Sequence, residues 1–426
     1  MDNPLIVDLF AGPGGLDVAA HWLDIPAIGI EFDEAAVDTR EAAGLSTIHS
    51  DVRGWQPSDF TSAVNVLTGG PPCQTFTVAG NGHGRRALDE VIGLVERLGE
   101  GRIDEVVDEV AAHEDARTGL VLQPLIWALR AIEAGRPFQA ILLEQVPAVR
   151  PVWEAMKTVL KANGYGADVD VLRTEEYGVP QTRRRAVLAA RHDVPDWKVE
   201  LPKGTHQPYV GTAVGSDLIL DLGSCKPKWI SMSEALGWAE PFTVVSNYGT
   251  GGDPKNRCKR RHDRPAFTVT GKVSRNRVVL DGKRGERRFG PAEAGRLQTF
   301  PTDYPWSGRD VPQQIGNAIP PRLGAHVLAW LLGIDVRLDE EFFAARNSGW
   351  TGPTAATAER VRGAIENQAL RWDSLTKVAG GPMRVERSDD DRTRVVGVVG
   401  SRSAIDAVEQ AAGHEARTPA AVGAAP

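Results

Sequence analysis

Cysteine is scarce in this 426-residue chain, and its scarcity excludes several kinds of protein. The three cysteines, Cys73, Cys225 and Cys258, form no Cys-x-x-Cys pair, and the 9 histidines are scattered. A structural zinc site requires clustered Cys and His ligands, and a disulfide framework requires several cysteines that can pair. We therefore expect neither, and we expect no metal cofactor. This cysteine usage is typical of a protein in a reducing compartment.

Long apolar runs are also missing. No segment approaches the roughly 20 apolar residues that cross a bilayer, and no basic region with a signal-length apolar run follows Met1. We therefore expect a cytoplasmic protein with no membrane partner. Hydrophobic residues make up 42% of the chain and charged residues 25%, which is ordinary for a soluble globular protein long enough for two domains.

Negative charge predominates overall, and a formal net charge of −7 by itself disfavours a nucleic-acid partner. The distribution of charge indicates otherwise. Residues 251–290 contain 13 Lys and Arg against 4 Asp and Glu, whereas residues 85–115 contain 4 Arg against 10 Asp and Glu. A basic stretch within an acidic protein is typical of a surface that binds phosphates, and the alternative is a solvated basic face.

A strand, a glycine turn and a helix are predicted at the start of the chain. The apolar run Leu5–Phe10 is followed by the turn Ala11–Gly15 and by residues 16–23, which have helical composition. Glycines at such a turn let the backbone approach a ligand at the positive end of a helix. The next two strand-like runs end at Glu31 and Asp51, and a carboxylate about 20 residues after the glycines suits the hydroxyls of a ribose. The pattern predicts an adenosine-containing cofactor, and the alternative is three ordinary turns with solvated acids.

The most distinctive stretch is Thr68–Thr77, which reads Thr-Gly-Gly-Pro-Pro-Cys-Gln-Thr-Phe-Thr. It continues the apolar run Ala63–Leu67 and precedes the glycine-rich residues 78–84. Cys73 is therefore predicted just past a strand end, at the root of a loop, where catalytic groups concentrate in open α/β sheets. Turn-forming neighbours disfavour the alternative of an inert, buried cysteine.

Two regions differ in their pattern. Strands and helices alternate to about residue 190, which predicts an α/β fold with a mostly parallel sheet and helices on both faces. Beyond that point helical periodicity fades, and short strand-like runs indicate a smaller, β-rich domain. The predicted organisation is a discontinuous cofactor-binding catalytic domain at 1–190 plus 312–335 with an acidic insert at 85–114, a second domain at 191–311, and a polar, partly disordered tail at 336–426.

Further charged groups are predicted at strand ends. Glu144 follows one apolar run, and Arg183 and Arg185 precede another. Together with Cys73, most of these groups would face one crevice at the carboxyl edge of the sheet. A thiol, a carboxyl group and an adenosine-type cofactor favour covalent catalysis, and phosphoryl transfer is disfavoured because the chain has no phosphate-cradling lysine motif.

These stretches together resemble the DNA cytosine-5 methyltransferases, a family of bacterial modification enzymes that use S-adenosylmethionine. The resemblance covers most of residues 5–332, and its motifs occur in the family's order. The proline-cysteine motif and the closing Gly-Asn motif are specific, whereas the glycine turn is not. The matching stretches are Asp8–Gly15, Gly70–Gln74, Glu144–Val146, Gln181–Arg185, Arg296–Pro301 and Gln314–Ala318.

The resemblance implies a Rossmann-like S-adenosylmethionine-dependent methyltransferase sheet with a smaller β-rich target-recognition domain. It implies methyl transfer to carbon 5 of cytosine in a specific duplex DNA sequence, with the base flipped out. Cys73 would add to ring carbon 6, Glu144 would hold N3 and support its protonation, and Arg183 and Arg185 would hold the base and the covalent intermediate. By the same resemblance, the cofactor pocket is lined by Phe10, Pro13, Gly14, Gly15, Leu16, Glu31, Phe32, Asp51, Val52, Pro72, Leu120 and Asn317.

The chain departs from the family pattern in three places. Gln145 stands where the family usually has asparagine, which moves the side-chain amide by one methylene and puts loop positioning, rate or cofactor choice in question. The acidic insert at 85–114 lengthens the region after the predicted catalytic loop and should lie away from DNA or on a protein partner. The tail after residue 336 is not covered.

Three alternatives remain open from the sequence. The first is an RNA cytosine-5 methyltransferase that acts on tRNA, and the second is a catalytically idle DNA-binding relative. The third is a dinucleotide-dependent oxidoreductase, which leaves the motif around Cys73 unexplained. For the favoured reading we expect a monomer that binds double-stranded DNA, either with a cognate restriction endonuclease or as an orphan or phage modification enzyme.

Overall fold

Two sheets organise the residues that the computed structural model describes, which are 1–72, 83–112, 119–211, 225–249, 257–282, 285–365, 383–387 and 393–398. The larger sheet has nine strands and the smaller has four. The strands in chain order are β1 (Ile6–Leu9), β2 (Ala27–Glu31), β3 (Thr47–His49), β4 (Val66–Gly69), β5 (Ala140–Gln145), β6 (Tyr165–Arg173), β7 (Arg184–His192), β8 (Phe242–Gly249), β9 (Arg257–Arg261), β10 (Arg277–Leu280), β11 (Glu286–Arg287), β12 (Met383–Arg387) and β13 (Thr393–Val398).

The larger sheet is mostly parallel, with strand order β13-β12-β3-β2-β1-β4-β5-β7-β6. β7 runs antiparallel to both of its neighbours, and β13 runs antiparallel to β12. All four residues of β1 and of β4 are buried, as expected for central strands covered on both faces. The order reverses between β1 and β4, so a crevice is expected at the carboxyl ends of these strands.

Helices cover both faces of this sheet. Side chains of α3 to α6 pack on one face around Trp127 and Trp153, and those of α1 and α10 pack on the other around Leu328. This sheet with its helices is called the sheet domain below. The α-helices are α1 (Gly15–Trp22), α2 (Glu34–Ala42), α3 (His83–Gly99), α4 (Ile103–Ala112), α5 (Gln123–Glu133), α6 (Arg150–Ala162), α7 (Met232–Leu236), α8 (Pro291–Leu297), α9 (Val311–Asn317), α10 (Pro321–Leu332), α11 (Glu340–Asn347) and α12 (Ala355–Arg362).

The small domain consists of the described residues from 225 to 297. Its antiparallel sheet has the order β11-β10-β8-β9 and packs with α7 and α8 around Phe242 and Val278. The predicted α/β architecture, with a mostly parallel sheet and a smaller β-rich unit, is confirmed.

The acidic insert and the tail both contain regular structure. In the insert, Val91 and Val95 of α3 and Val106 of α4 are buried in the core on one face of the sheet. In the tail, Glu340 of α11 forms an ion pair with the buried Arg322, and β12 pairs in parallel with β3. Residues 366–382, 388–392 and 399–426 lie outside the described residues, so disorder in the tail stays a prediction.

Candidate active site

A cavity of about 950 Å³ opens at the carboxyl ends of β1, β2, β4 and β5. This is the crevice that the strand order predicts. Its size is within the range of pockets that bind cofactors. The residues that line it are Asp8, Phe10, Ala11, Gly12, Pro13, Gly15, Leu16, Ile30, Glu31, Phe32, Asp33, Ala35, Ala36, Asp51, Val52, Arg53, Gly70, Pro72, Leu120, Glu144, Gln145, Val146, Arg185, Arg309, Asp310, Gln313, Gln314, Gly316, Asn317, Ala318 and Ile319.

The carboxylate of Glu31 lies at the end of β2 and accepts three backbone N–H groups. Gly12 N donates to Oε2 at 2.7 Å, and Phe32 N and Asp33 N donate to Oε1 at 2.8 and 2.7 Å. Burial raises the pKa of Glu31, while these hydrogen bonds oppose that rise. The three bonds fix the carboxylate, and Oε2, which accepts only one of them, retains a lone pair for a ligand hydroxyl.

Phe32 and Asp51 complete this end of the cavity. The Phe32 ring is 72% exposed, although large apolar side chains are usually covered. Asp51 forms an ion pair with Arg53 at 2.6 Å. Burial alone would raise the pKa of Asp51, but hydrogen bonds from Arg53 outweigh burial and lower it, so Asp51 is ionised near neutral pH. An exposed aromatic face beside two carboxylates suits a nucleoside.

A second group of charges lies beneath the glycine turn. Asp17 and Arg40 form a buried bidentate ion pair with distances of 2.7 and 2.8 Å. Gly29 makes room for this arginine, because a Cβ atom there would lie 2.1 Å from Arg40 Nη2. Burial and the nearby charge of Asp17 raise the pKa of Asp8, whose Oδ1 accepts a hydrogen bond of 2.6 Å from Thr68.

Glu144 and Arg185 form a largely buried ion pair on the cavity wall. Arg185 Nε lies 2.5 Å from Glu144 Oε1, and the two side chains are 12% and 8% exposed. The antiparallel pairing of β5 with β7 brings them together, because Leu143 pairs with Leu188 and Glu144 with Val187. A carboxylate and a guanidinium are thus presented together to the cavity.

Arg183 is placed differently from Arg185, although the sequence predicted the same role for both. It is 1% exposed and does not line the cavity. Its guanidinium donates to the carbonyls of Val269, Gly316 and Ala318 at 2.8, 3.0 and 3.2 Å. Arg183 therefore ties the sheet to the small domain and to the wall of the cavity that contains Gly316.

Gln145 connects the ends of β4 and β5. Its Nε2 donates to the carbonyl of Pro71 at 2.6 Å, and its Oε1 accepts from Val146 N at 2.6 Å. Cys73 and residues 74–82, which include most of the predicted catalytic loop, lie outside the described residues. The described chain brings Pro72 to the cavity, directly before this cysteine.

The far wall comes from residues that the sequence analysis missed. Arg309, Asp310 and Gln313 reach the cavity from the segment that precedes and begins α9. Gln313 Nε2 donates to Asn317 Oδ1 at 2.7 Å, so one turn of α9 places both side chains together. The motif Gln314–Ala318 directly follows these residues in the chain, and it was the one feature of the sequence from which this wall could have been predicted.

The structure brings most of the predicted site together. Eleven of the twelve predicted cofactor residues line the cavity, as do Glu144 and Arg185. The exception is Gly14, which has a φ of 100° and packs beneath Leu45 and Tyr304. The described residues contain no group of three or more His, Cys, Asp or Glu side chains that could hold a metal ion. No helix of the described chain is long and apolar enough to cross a membrane.

The profile of the family described as C-5 cytosine-specific DNA methylase matches residues 5–90 and 114–331. The chain belongs to this family. The match omits residues 91–113, which contain most of the acidic insert, and it ends within α10. The resemblance seen in the sequence is therefore confirmed, and the methylase family accounts for the glycine turn, the proline-cysteine motif and the Gly-Asn motif together.

Relatives of this C-5 methylase include two type II methyltransferases. The chain is 29% identical over 343 residues to M.AplI of Arthrospira platensis, covering 75% of this chain and 83% of the relative. It is 25% identical over 342 residues to M1.HphI of Haemophilus parahaemolyticus, covering 74% and 83%. The solved structure of S. pombe Dnmt2 methyltransferase has a TM-score of 0.51 at 16% identity, covering 77% of this chain and 98% of that one, which shows a shared fold.

Proposed function

We propose that the protein transfers a methyl group from S-adenosylmethionine to carbon 5 of cytosine in a specific duplex DNA sequence. The observation that carries the proposal is the Glu144–Arg185 ion pair on the cavity wall, beside the segment that leads into Cys73. The family match at residues 5–90 and 114–331 supports the reaction class.

S-adenosylmethionine, when bound, supplies an electrophilic methyl group. The residues present fit this cofactor, because the cavity combines an exposed aromatic ring at Phe32 with fixed carboxylates at Glu31 and Asp51. The carboxylates would accept hydrogen bonds from the ribose hydroxyls, and the Phe32 ring would cover the adenine. Asn317 and Gln313 would bound the cavity opposite them.

The chain's own groups would activate carbon 5 through a covalent adduct. The Cys73 thiolate would add to carbon 6, the electron pair of the 5,6 double bond would shift to the bond between carbons 4 and 5, and N3 would take a proton from the protonated form of Glu144. Carbon 5 is then enamine-like and able to form a bond to carbon. After methyl transfer, carbon 5 would lose its proton to solvent, the Cys73 thiolate would depart from carbon 6, and the N3 proton would return to Glu144, which restores the aromatic ring. Arg185 would orient Glu144 and stabilise its carboxylate once the proton has moved to N3.

The target base is out of reach inside a duplex, so it would be flipped into the cavity at a cost of a few kcal/mol. The small domain and the basic stretch 251–290 would contact phosphates and read base edges. A second cleft, lined by Arg184, Arg185 and Arg260 among others, adjoins the active-site ion pair and would face the same DNA. We expect a cytoplasmic monomer that acts with a cognate restriction endonuclease or as an orphan enzyme.

Trapping on fluorinated DNA tests this proposal. The protein is mixed with S-adenosylmethionine and duplexes that carry 5-fluorocytosine in varied sequence contexts, and covalent adducts are detected by intact-mass spectrometry. Fluorine prevents the loss of a proton from carbon 5, so the adduct accumulates. We expect an adduct for the wild type and none for Cys73→Ser. Sequencing of the trapped DNA would give the recognition site.

Two other outcomes would replace the proposal. Adducts on fluorinated RNA but on no DNA would assign the chain to RNA methylation. No adduct on either, while S-adenosylmethionine still binds, would indicate a catalytically idle nucleic-acid-binding protein.

A further inference from the structure

We propose that Gln145 is a positioning residue that holds the segment Gly70–Pro72, and with it the start of the Cys73 loop, against Glu144. The inference rests on the proposed function. It gives a role to the residue at which the chain departs from the asparagine that is usual in the family.

The backbone ladder between β4 and β5 stops just before the site. Its last paired residues are Gly69 and Leu143. Pro71 and Pro72 have no N–H group, so neither can donate a further ladder bond to β5. The paired residues of this ladder therefore end at Gly69, just before the segment that leads into the active site.

The side-chain amide of Gln145 takes the place of the missing backbone bond. Its Nε2 donates to Pro71 O, and its Oε1 accepts from Val146 N, both at 2.6 Å. The carbonyl can only accept and the N–H can only donate, so the chemistry of the partners fixes the orientation of the amide. Both ends of the amide are therefore engaged, and the proline segment is linked to the end of β5.

This hydrogen bond matters for catalysis because Gln145 is adjacent to Glu144, the proposed acid. Consecutive residues of one strand do two tasks: Glu144 presents its carboxylate to the cavity, and Gln145 holds the opposite strand end. Gly70 lies beside this acid, because a Cβ atom placed there would be 3.8 Å from Glu144 Oε2, an ordinary contact distance. The position of Pro71 relative to the acid that would protonate the base would thus depend on this hydrogen bond.

The length of glutamine matters for this bond. Asparagine is shorter by one carbon–carbon bond of about 1.5 Å. At an unchanged backbone, asparagine could not span to the Pro71 carbonyl, so the proline segment would have to move toward β5. Misplacement of about 1 Å at a reacting group can cost on the order of 100-fold in rate.

The test measures single-turnover formation of the Cys73 adduct on 5-fluorocytosine DNA, with S-adenosylmethionine and DNA saturating. We expect Gln145→Met to slow the adduct about 10- to 100-fold and Gln145→Asn to slow it less, with unchanged affinity for S-adenosylmethionine and unchanged melting temperature. Gln139→Met is the matched control, since Gln139 is exposed and immediately precedes β5 at its other end. It should react at the wild-type rate.

Gln145→Glu adds a readout that a purely structural role would not move. An ionised carboxylate cannot donate to Pro71 O, whereas a protonated carboxyl group can. The rate of Gln145→Glu relative to wild type should therefore rise as the pH falls toward the pKa of the new carboxyl group. Gln145→Met has no such group, and its relative rate should stay flat.

The outcomes separate this inference from the proposed function. If the wild type forms no adduct, the proposed function fails. If the wild type reacts and Gln145→Met reacts within twofold of it, the positioning role is overturned. A slow Gln145→Met with a lowered affinity for S-adenosylmethionine would assign the hydrogen bond to the cofactor pocket and would also overturn it.

Discussion

Two buried arginines of the sheet domain face carboxylates, whereas several cations of the small domain lie over aromatic rings. In the sheet domain, Arg40 pairs with Asp17 and Arg185 with Glu144, and each pair is largely buried. In the small domain, the Lys228 ammonium lies 4.7 Å from the centre of the Trp229 ring. A carboxylate cancels the positive charge, but a ring holds the cation in place and leaves its net charge intact.

The difference follows from what each part would bind. The sheet domain surrounds a cavity and must present a few charges at fixed positions, so its buried charges need internal partners. The small domain carries most of the described part of the basic stretch 251–290, and a phosphate-binding surface needs net charge near solvent. Arg260 illustrates the second case, since it lies 4.1 Å from the centre of the Phe267 ring.

The largest expected effect comes from breaking a buried pair in the sheet domain. Arg40→Met leaves Asp17 as a buried carboxylate without its cation, and should lower the free energy of unfolding by about 3–5 kcal/mol. Chemical denaturation of the purified variant measures this. The matched control is Arg150→Met on α6, whose pair with Glu154 at 3.4 Å is exposed and should contribute about 0.3–0.5 kcal/mol.

If both variants lost the same free energy of unfolding, the contrast between buried and exposed ion pairs would be contradicted, because burial would then add nothing to the effect of removing the cation. A double variant, Arg40→Met with Asp17→Leu, sharpens it further. Removing both charges should recover part of the loss, since no uncompensated charge remains in the interior.

The sequence was sufficient to predict the residues at strand ends. Glu31, Asp51 and Glu144 each follow an apolar run of strand length, and parallel strands place their carboxyl ends at one edge. The alternation of elements likewise predicted the sheet. Each of these features can be recognised from a short stretch of sequence. Because neighbouring parallel strands end at the same edge of the sheet, the residues that follow them come together in one site.

Other parts of the site depend on contacts that no local pattern encodes. Arg183 resembles Arg185 in sequence, yet Arg183 is enclosed by carbonyls from residues 269, 316 and 318. Gly29 lies in β2 and Arg40 in α2, so the space that the glycine leaves for the arginine depends on how this strand and this helix pack together. The strand β12, which lies over 300 residues from its neighbour β3, could not be placed by periodicity alone.

A smaller effect is expected from the titration of a buried histidine in the sheet domain. His326 contacts the rings of Tyr177 and Phe343 and lies near Arg322, His206 and Glu340. Burial, with added repulsion from Arg322 and His206 against the attraction of Glu340, lowers its pKa to about 3. The unfolded chain therefore takes up this proton first, and stability is lost as the pH falls from about 6.5 toward 3.

Urea unfolding between pH 7.5 and pH 5 measures this loss. The wild type should lose up to about 1.4 kcal/mol per pH unit through this group below pH 6.5, and His326→Phe should show a shallower dependence. Glu340→Gln is the control. The pKa of Glu340 lies at about 2, so the stability that depends on its ionisation is lost only below about pH 4.5, outside the measured range. Identical slopes for wild type and His326→Phe would show that His326 titrates alike in the folded and unfolded chain.

The smallest effect is expected in the small domain, where charge serves binding rather than folding. Lys259 and Lys272 are exposed and belong to the basic stretch. If both contact phosphates, Lys259→Gln with Lys272→Gln should reduce the slope of log affinity for duplex DNA against log salt by about 1.8, while the melting temperature stays unchanged. Lys161→Gln on α6 provides a matched control that should leave the slope unchanged. An unaltered slope in the double variant would leave the basic stretch as a solvated face, and the contrast between the two domains would then concern packing alone rather than the binding of DNA.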